Sequence, residues 1–578
     1  MTVSMKTPVL IVGAGPAGLV TALGLARHGV RSLVVERHAG TSIFPRATAV
    51  STRSMEILRE FGLEPAVRAL SLDASPFMSI SPVLAAPELT QMPLGFPTRE
   101  QAAQVSPTGP ALSPQDHVEP ILVARLQELG LTELRFNTEL VALAQDEQGV
   151  TATILDRGTG GIRQIAARYV VGADGGRSSV RELLGIETVG PSDLEHHASI
   201  LFRADLWSVL GERRHGLYGV GAPSAPSVFA PMGPDDRWVL AKQMPLAAAE
   251  ALASDPACAV ALVREAAGLP DLDVEILFVM PLTFAAQVAM RWRAGRVFLA
   301  GDAAHRMPPF GGRGMNTAIA DAHNLAWKLA WVVRGDAAPS LLDTYEEERG
   351  PVGRANISLA LSRYRDRQAE SGLVLDLPDG VGEVETPDGL FEDLGYVYAS
   401  RGIVANEGGA DVDAGVARPG ARAPHAWLEV DGRRVSTLDL FGDGLMLLAR
   451  GRARPWRAAV QALAAAPSFL FGLAGLAPLA APARFGGLEL MVVDDGDGES
   501  AFAAAYGLEP GGAVLVRPDG HVATRWTAAP ADHVAALGRA VDVALGYGRF
   551  EPAIATSPGR VGIPGRRRTA VMPPMPFA

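Results

Sequence analysis

Apolar and polar positions along the chain change period in a fixed order. Leu10 to Val12 is a short apolar run, Leu19, Leu23 and Ala26 recur at helical spacing, and Ser32 to Val35 is apolar again. That order predicts a βαβ unit over residues 8–40. Residues 41–69, with PRATAVSTRSMEILREFGL, predict a loop and then an amphipathic helix. Residues 70–115 carry little helical pattern and many Pro and Ser, and predict strands and loops. A helix is expected over 117–130, ending at Gly130. Leu134 to Gly172 alternates like antiparallel strands, with a turn at Arg157 to Gly161. Residues 196–284 read mainly as strands, among them ASILFRADL and RWVLAKQMP. Val297 to Ala300 predicts a buried strand. Ile319, Ala322, Ala326 and Leu329 predict a long helix from Met315 to Val333, and Pro351 to Arg367 a second. A Gly/Ala/Asp-rich stretch at 404–420 predicts a boundary. Beyond it GLMLLA, LELMVVD and AVLVRPDG alternate with alanine-rich helices, as in a small separate α/β domain. From Glu551 the chain, with its GRRR run, predicts an extended arm.

Composition narrows the classes. The chain has 578 residues, 48% hydrophobic and 20% charged, which is enough for a large core and too apolar for disorder. A net charge of -11 argues against nucleic-acid partners and anionic membranes. Cys258 is the one cysteine, so no intrachain disulfide, CxxC pair, Cys zinc cluster or iron–sulfur cluster can form, and no metal site is expected. It is expected to be a small buried hydrophobe, and the setting reducing and cytoplasmic. The 26 residues from Ala458 to Ala483 lack a charge and could span a bilayer by length. Pro467, Pro478 and Pro482 would break such a helix, so buried short helices and loops are expected instead. Val9 to Leu25 contains Gly13, Gly15 and Gly18 and does not read as a signal peptide.

Those glycines are the first chemical signal. Gly13-x-Gly15-x-x-Gly18 follows a strand and opens a helix. The glycines permit a tight turn and close approach of a pyrophosphate, which Pro16, Ala17 and the helix N-terminus would face. Glu36, 18 residues after Gly18, ends the next strand beside Arg37, where a carboxylate suits a ribose. The pattern indicates a dinucleotide without choosing NAD or FAD.

Two further segments choose. Tyr169–Arg181 reads YVVGADGGRSSVR and Arg296–Asn316 reads RVFLAGDAAHRMPPFGGRGMN. With the glycine motif they resemble, over residues 8–370, the class A FAD-dependent aromatic hydroxylases that include para-hydroxybenzoate and phenol hydroxylases. The resemblance implies that Glu36 holds the adenosine ribose and that Arg46 approaches the diphosphate or flavin. It puts Gln115 near the ribityl chain with Arg125 assisting, Asp174 in a segment tied to FAD and NADPH, and Asp302 on ribityl or ribose hydroxyls. Pro309, Phe310, Gly312, Gly314, Met315 and Asn316 would form the flavin-side loop and helix start, whose dipole favours negative charge on reduced flavin. It further implies NADPH or NADH as cosubstrate, O2, and oxygen transfer through a C4a-hydroperoxyflavin.

The candidates to contact or deprotonate a phenol are Tyr218, His215, Gln243, Arg213 and Trp238. His305 and His323 are expected to be structural. Segment 512–526 resembles the thioredoxin-like domain of phenol and polyketide hydroxylases, here without a dithiol. GLFEDLGYVYASRGIV resembles enzymes of chlorophenols and polycyclic polyketides, hence a bulky aromatic substrate. The expected fold is α/β: a GxGxxG FAD-binding (Rossmann-like) domain at 1–70, 111–190 and 285–400, a β-rich substrate region at 71–110 and 191–284, a thioredoxin-like domain at 410–550, and an arm at 551–578. A Baeyer–Villiger or ring-rearranging oxygenase on the same scaffold stays open, as does, in another class, a non-catalytic FAD-binding escort protein. A homodimer is compatible with this reading.

Overall fold

The computed structural model describes residues 3–221, 227–370, 389–404, 416–451, 453–465, 487–493 and 500–548. The expected βαβ unit is present: strand Val3–Val12, helix Pro16–Arg27 and strand Ser32–Val35. The first strand begins seven residues before Leu10 because its polar start still pairs with Gln164 to Ala167 of Ile162–Gly172. Strands 132–135, 32–35, 3–12, 162–172 and 297–299 lie side by side as a parallel sheet. The expected antiparallel run therefore needs correction at its start. Thr132–Arg135 runs parallel to Ser32–Val35, reached through the crossover helix Gln115–Leu129. Antiparallel pairing holds from Thr138 to Gly172, with the turn at 157–161.

The helix Arg313–Arg334 is buried along most of its length and crosses Pro16–Arg27 closely. A Cβ on Gly24 would stand 2.5 Å from the Cβ of Ala326. The next helix starts at Thr344, ahead of the expected Pro351, which lies inside it.

Segments 75–93 and 195–284 together build a seven-stranded sheet in the order 275–284, 195–203, 237–243, 227–231, 215–220, 75–81 and 90–93. On one face Phe202, Phe229, Trp238 and Tyr218 pack under the helices Leu246–Leu252 and Pro256–Ala267. Cys258 is exposed, against expectation. Asp255 caps that helix and accepts the Cys258 N–H, and the helix buries Ala259, Val263 and Ala267 instead.

In the C-terminal region a four-stranded sheet runs 488–493, 445–450, 513–516, 522–526. Leu445, Leu447, Leu515 and Ala523 on one face belong to the same apolar cluster as the parallel sheet, while Leu448, Val514 and Val516 on the other meet Phe441, Phe502 and Tyr506. Of the uncharged run, Ala458 to Ala465 closes the helix Ala453–Ala465, and 466–483 fall outside the described residues, as does the expected arm. Among the described residues no single helix is long and apolar enough to cross a membrane.

Candidate active site

A cavity of about 2170 Å³ runs from the glycine turn to the inner face of the seven-stranded sheet. That is about twice the upper end of the ~300–1,000 Å³ usual for one small ligand. It has room for a cofactor and a substrate together.

At one end the three glycines divide their work. Gly13 has φ +105°, and a Cβ there would stand 2.3 Å from the Ala173 carbonyl oxygen. A Cβ on Gly18 would lie 2.0 Å from the Gly13 carbonyl oxygen, and Gly18 does not border the cavity. Gly15 is different: its Cβ would meet nothing nearer than Glu119 Oε1 at 4.0 Å, in open space beside Pro16 and Ala17 at the helix N-terminus. The chain's own packing needs Gly13 and Gly18, and the space at Gly15 fits a group that comes close to backbone. Glu36 Oε2 accepts the Ala14 N–H at 2.9 Å, and Oε1 accepts that of His38 at 2.9 Å, so this carboxylate also holds the turn. Arg37 and Arg46 border the same space. Gln115 borders it too and donates to Glu119 Oε1 at 2.6 Å, while burial pushes the Glu119 carboxyl up.

Asp302 follows the strand Val297–Leu299 on a single 3₁₀ turn. It is deep in the molecule, yet its side chain is open to the cavity. Burial raises its pKa, opposed by His305, Arg46 and Arg306. A carboxylate so placed asks for donors, and polyol hydroxyls supply them. Asp174 borders the cavity, but its oxygens are engaged by the Ser178 hydroxyl at 2.5 Å and the Val180 N–H at 3.1 Å. Burial pushes its carboxyl up as well.

The loop Met307–Gly312 carries Pro309 and Phe310 onto the cavity, and Gly312, Gly314 and Met315 bring the start of Arg313–Arg334 to its wall. The unbonded N–H groups and positive dipole end of a 22-residue helix thus face the space. Gly311 and Gly312 take φ +87° and +61°, which explains glycine at both.

Several expected contacts are not made. Arg125 lies nearly three turns beyond Gln115, pairs with Glu128 at 2.9 Å and does not reach the cavity. Asn316 turns away from it: its side-chain NH2 donates to the carbonyls of Gly312 and Ala49, and its Oδ1 accepts the Ser51 N–H at 2.8 Å. It braces the loop. Tyr218 and Trp238 point to the opposite face of their sheet, and the Tyr218 hydroxyl donates to the Arg213 carbonyl at 2.5 Å. His215 bonds Ser75 at 2.8 Å and Glu88 at 3.1 Å, Arg213 donates to the Ala86 carbonyl, and Gln243 ends its strand outside the lining. Alternation explains Tyr218 and Trp238: along their strands Leu217, Gly219, Val239 and Ala241 take the inner face. His305, bonded to Asp321 at 2.6 Å, and His323, bonded to Glu60 at 2.9 Å, are packed as expected. The sequence reading missed His197 and Ser199, which do line the cavity. Their strand Glu195–Arg203 is buried on both faces, so its pattern does not show which side faces inward.

Residues 6–360 match the FAD binding domain family, and residues 416–547 match the aromatic-ring hydroxylase C-terminal family. The chain is an FAD-dependent aromatic-ring hydroxylase. This hydroxylase is 39% identical over 538 residues to a putative polyketide hydroxylase of Streptomyces halstedii, covering 90% of this chain and 93% of the relative. It is 39% identical over 566 residues to 4-methyl-5-nitrocatechol 5-monooxygenase of a Burkholderia species, covering 94% and 98%. Its fold is similar to that of aklavinone-11 hydroxylase, solved as a ternary complex with FAD and aklavinone, with TM-score 0.80 and 35% identity over 94% of this chain and 100% of that one.

Proposed function

We propose that this hydroxylase uses NADPH or NADH and O2 to insert one oxygen atom into a bulky polycyclic phenol of polyketide type. The observation that carries the reading is the cavity itself: its volume exceeds a cofactor site, and its far half is the apolar inner face of a sheet. The aklavinone named in the similar complex and the polyketide relative support the same substrate class. Bound FAD would supply the activation of dioxygen, from which the transferred oxygen atom comes. The chain would do the rest. The turn Gly13–Ala17 and the N-terminus of Pro16–Arg27 would hold the diphosphate, Glu36 a ribose, and Asp302 the ribityl hydroxyls. Pro309 and Phe310 would form the wall between the flavin and the substrate, and Leu217, Val239 and Met280 would exclude water. Residues 416–548 we read as a thioredoxin-like fold; with no cysteine after Cys258 it has no dithiol and would serve architecture.

The test is a visible spectrum of the purified protein, followed by NADPH and NADH oxidation with phenols, naphthoquinones and anthraquinones, and product masses. Yellow protein and substrate-stimulated oxidation with a product one oxygen heavier are expected. A lactone would point to a ring-inserting oxygenase, and a colourless protein unable to take up FAD would overturn the reading.

A further inference from the structure

The polar groups on the sheet side of the cavity are few, and one is built as a dyad. Glu195 and His197 stand two residues apart on the strand Glu195–Arg203, so their side chains share a face. The Glu195 carboxylate is bonded to His197 Nε2, and the two side chains are 2% and 5% exposed. The imidazole lies on the Phe284 ring, with centroids 4.4 Å apart and planes at 21°. Phe284 meets Phe310 edge-on at 6.1 Å, and Phe310 belongs to the loop on the cofactor side. His197 therefore lines the cavity beside the wall that separates substrate from flavin.

Its other nitrogen is the informative atom. Nδ1 has no hydrogen-bond partner among the described residues and is closed to a water-sized probe, so a donor in the cavity that His197 lines reaches it only once the ring shifts. A carboxylate at Nε2 draws the proton there, which leaves Nδ1 as an acceptor. A buried acceptor without a donor calls for one from elsewhere, and a phenol hydroxyl is such a donor.

We propose that His197, oriented by Glu195, accepts the proton of a substrate phenol; this rests on the hydroxylase reading above. The phenol O–H bond breaks, an N–H bond forms at Nδ1, and the electron pair stays on the oxygen. The imidazolium is balanced by Glu195, the charged group bonded to it. The neighbouring strands set neutral groups beside it: Gln243 from one side, Leu282 and Phe284 from the other.

The probe is 1,2-dihydroxyanthraquinone, whose visible band moves to the red on ionisation, titrated into FAD-loaded wild type, His197→Gln and Glu195→Gln across a range of pH. FAD content and substrate-stimulated NADPH oxidation are recorded first. Wild type is expected to bind the dye ionised at a pH where the free dye is still neutral. His197→Gln should keep its FAD, hold the dye neutral at that pH and lose about a hundredfold in kcat/KM. Glu195→Gln should fall between, with the loss mainly in kcat. A His197→Gln enzyme with wild-type dye ionisation and turnover overturns the proposal. So does a wild type that holds FAD and turns over but leaves the dye unbound or neutral, a result that does not depend on either variant folding. A wild type that takes up no FAD overturns the functional reading itself, and is distinguished by the spectrum alone.

Discussion

Gly13 and Gly15 sit two residues apart in one turn and are glycine for different reasons. Gly13 is in the left-handed region with Ala173 against it, so Gly13→Ala pays about 1–2 kcal/mol in backbone alone and must also move a neighbouring strand. Gly15 has open space where its side chain would be. Gly15→Ala should therefore leave the melting temperature of the FAD-free protein unchanged and weaken FAD binding by tenfold or more, about 1.4 kcal/mol. Gly13→Ala should lower that melting temperature. Calorimetry of stripped protein with FAD titration separates the two; equal thermal losses would make Gly15 a packing glycine as well. Asp302→Ala belongs to the same scale. It removes a carboxylate that makes no hydrogen bond or ion pair among the described residues, so FAD content after gel filtration should drop while the fold is kept. Unchanged FAD content would end its assignment to the ribityl chain.

At the scale of the element, the strand Arg237–Gln243 shows what one register decides. Trp238 and Ala241 are three residues apart and face opposite sides. Trp238→Ala empties a packed site under the helices Leu246–Leu252 and Pro256–Ala267 and should cost about 3–5 kcal/mol, with little change in KM. Ala241→Trp fills the cavity and should raise KM for a polycyclic substrate severalfold at unchanged FAD content. Denaturant unfolding and steady-state kinetics check both, and a KM effect from Trp238→Ala would mean that the two faces are coupled. The same strand shows how far the sequence can be read. The glycine turn, Asp302 and the loop at Pro309 are legible because cofactor contacts come from short contiguous motifs with fixed backbone demands. The substrate wall is assembled from strands paired across long separations, and its central members are apolar on both faces. Choosing polar or aromatic residues there selected Tyr218, His215 and Trp238, which are polar or large for the sake of the outer layer, and passed over His197.

At the scale of the whole molecule, the C-terminal strands are legible as strands, but their attachment is not. Arg517 and Asp519 lie in a Val-Arg-Pro-Asp-Gly turn that by itself reads as exposed. In the fold, Arg517 donates to both oxygens of Glu348 at 2.6 and 2.8 Å, Lys328 donates to the same carboxylate at 2.7 Å, and all are buried. The Arg517 and Lys328 cations hold Glu348 well below the usual carboxylate range, and Arg517 does the same for Asp519. His521 stacks on Tyr398 at 4.2 Å, and burial lowers it from 6.5 to about 4. Between those values the unfolded chain binds a proton at His521 that the folded chain does not. Stability due to this group is therefore complete above about pH 6.5 and declines as pH falls toward 4, by about 3 kcal/mol at most. Raised carboxyls such as Asp542 act in the opposite sense over part of the same range, so the comparison must be with His521→Gln. The wild type should lose more stability than that variant as pH falls from 6.5 to 4, with a constant difference above pH 7. Parallel unfolding curves across the whole range would mean that His521 is protonated in the folded protein, and that the joint between the C-terminal turn and the Thr344–Glu370 helix is held without a neutral imidazole.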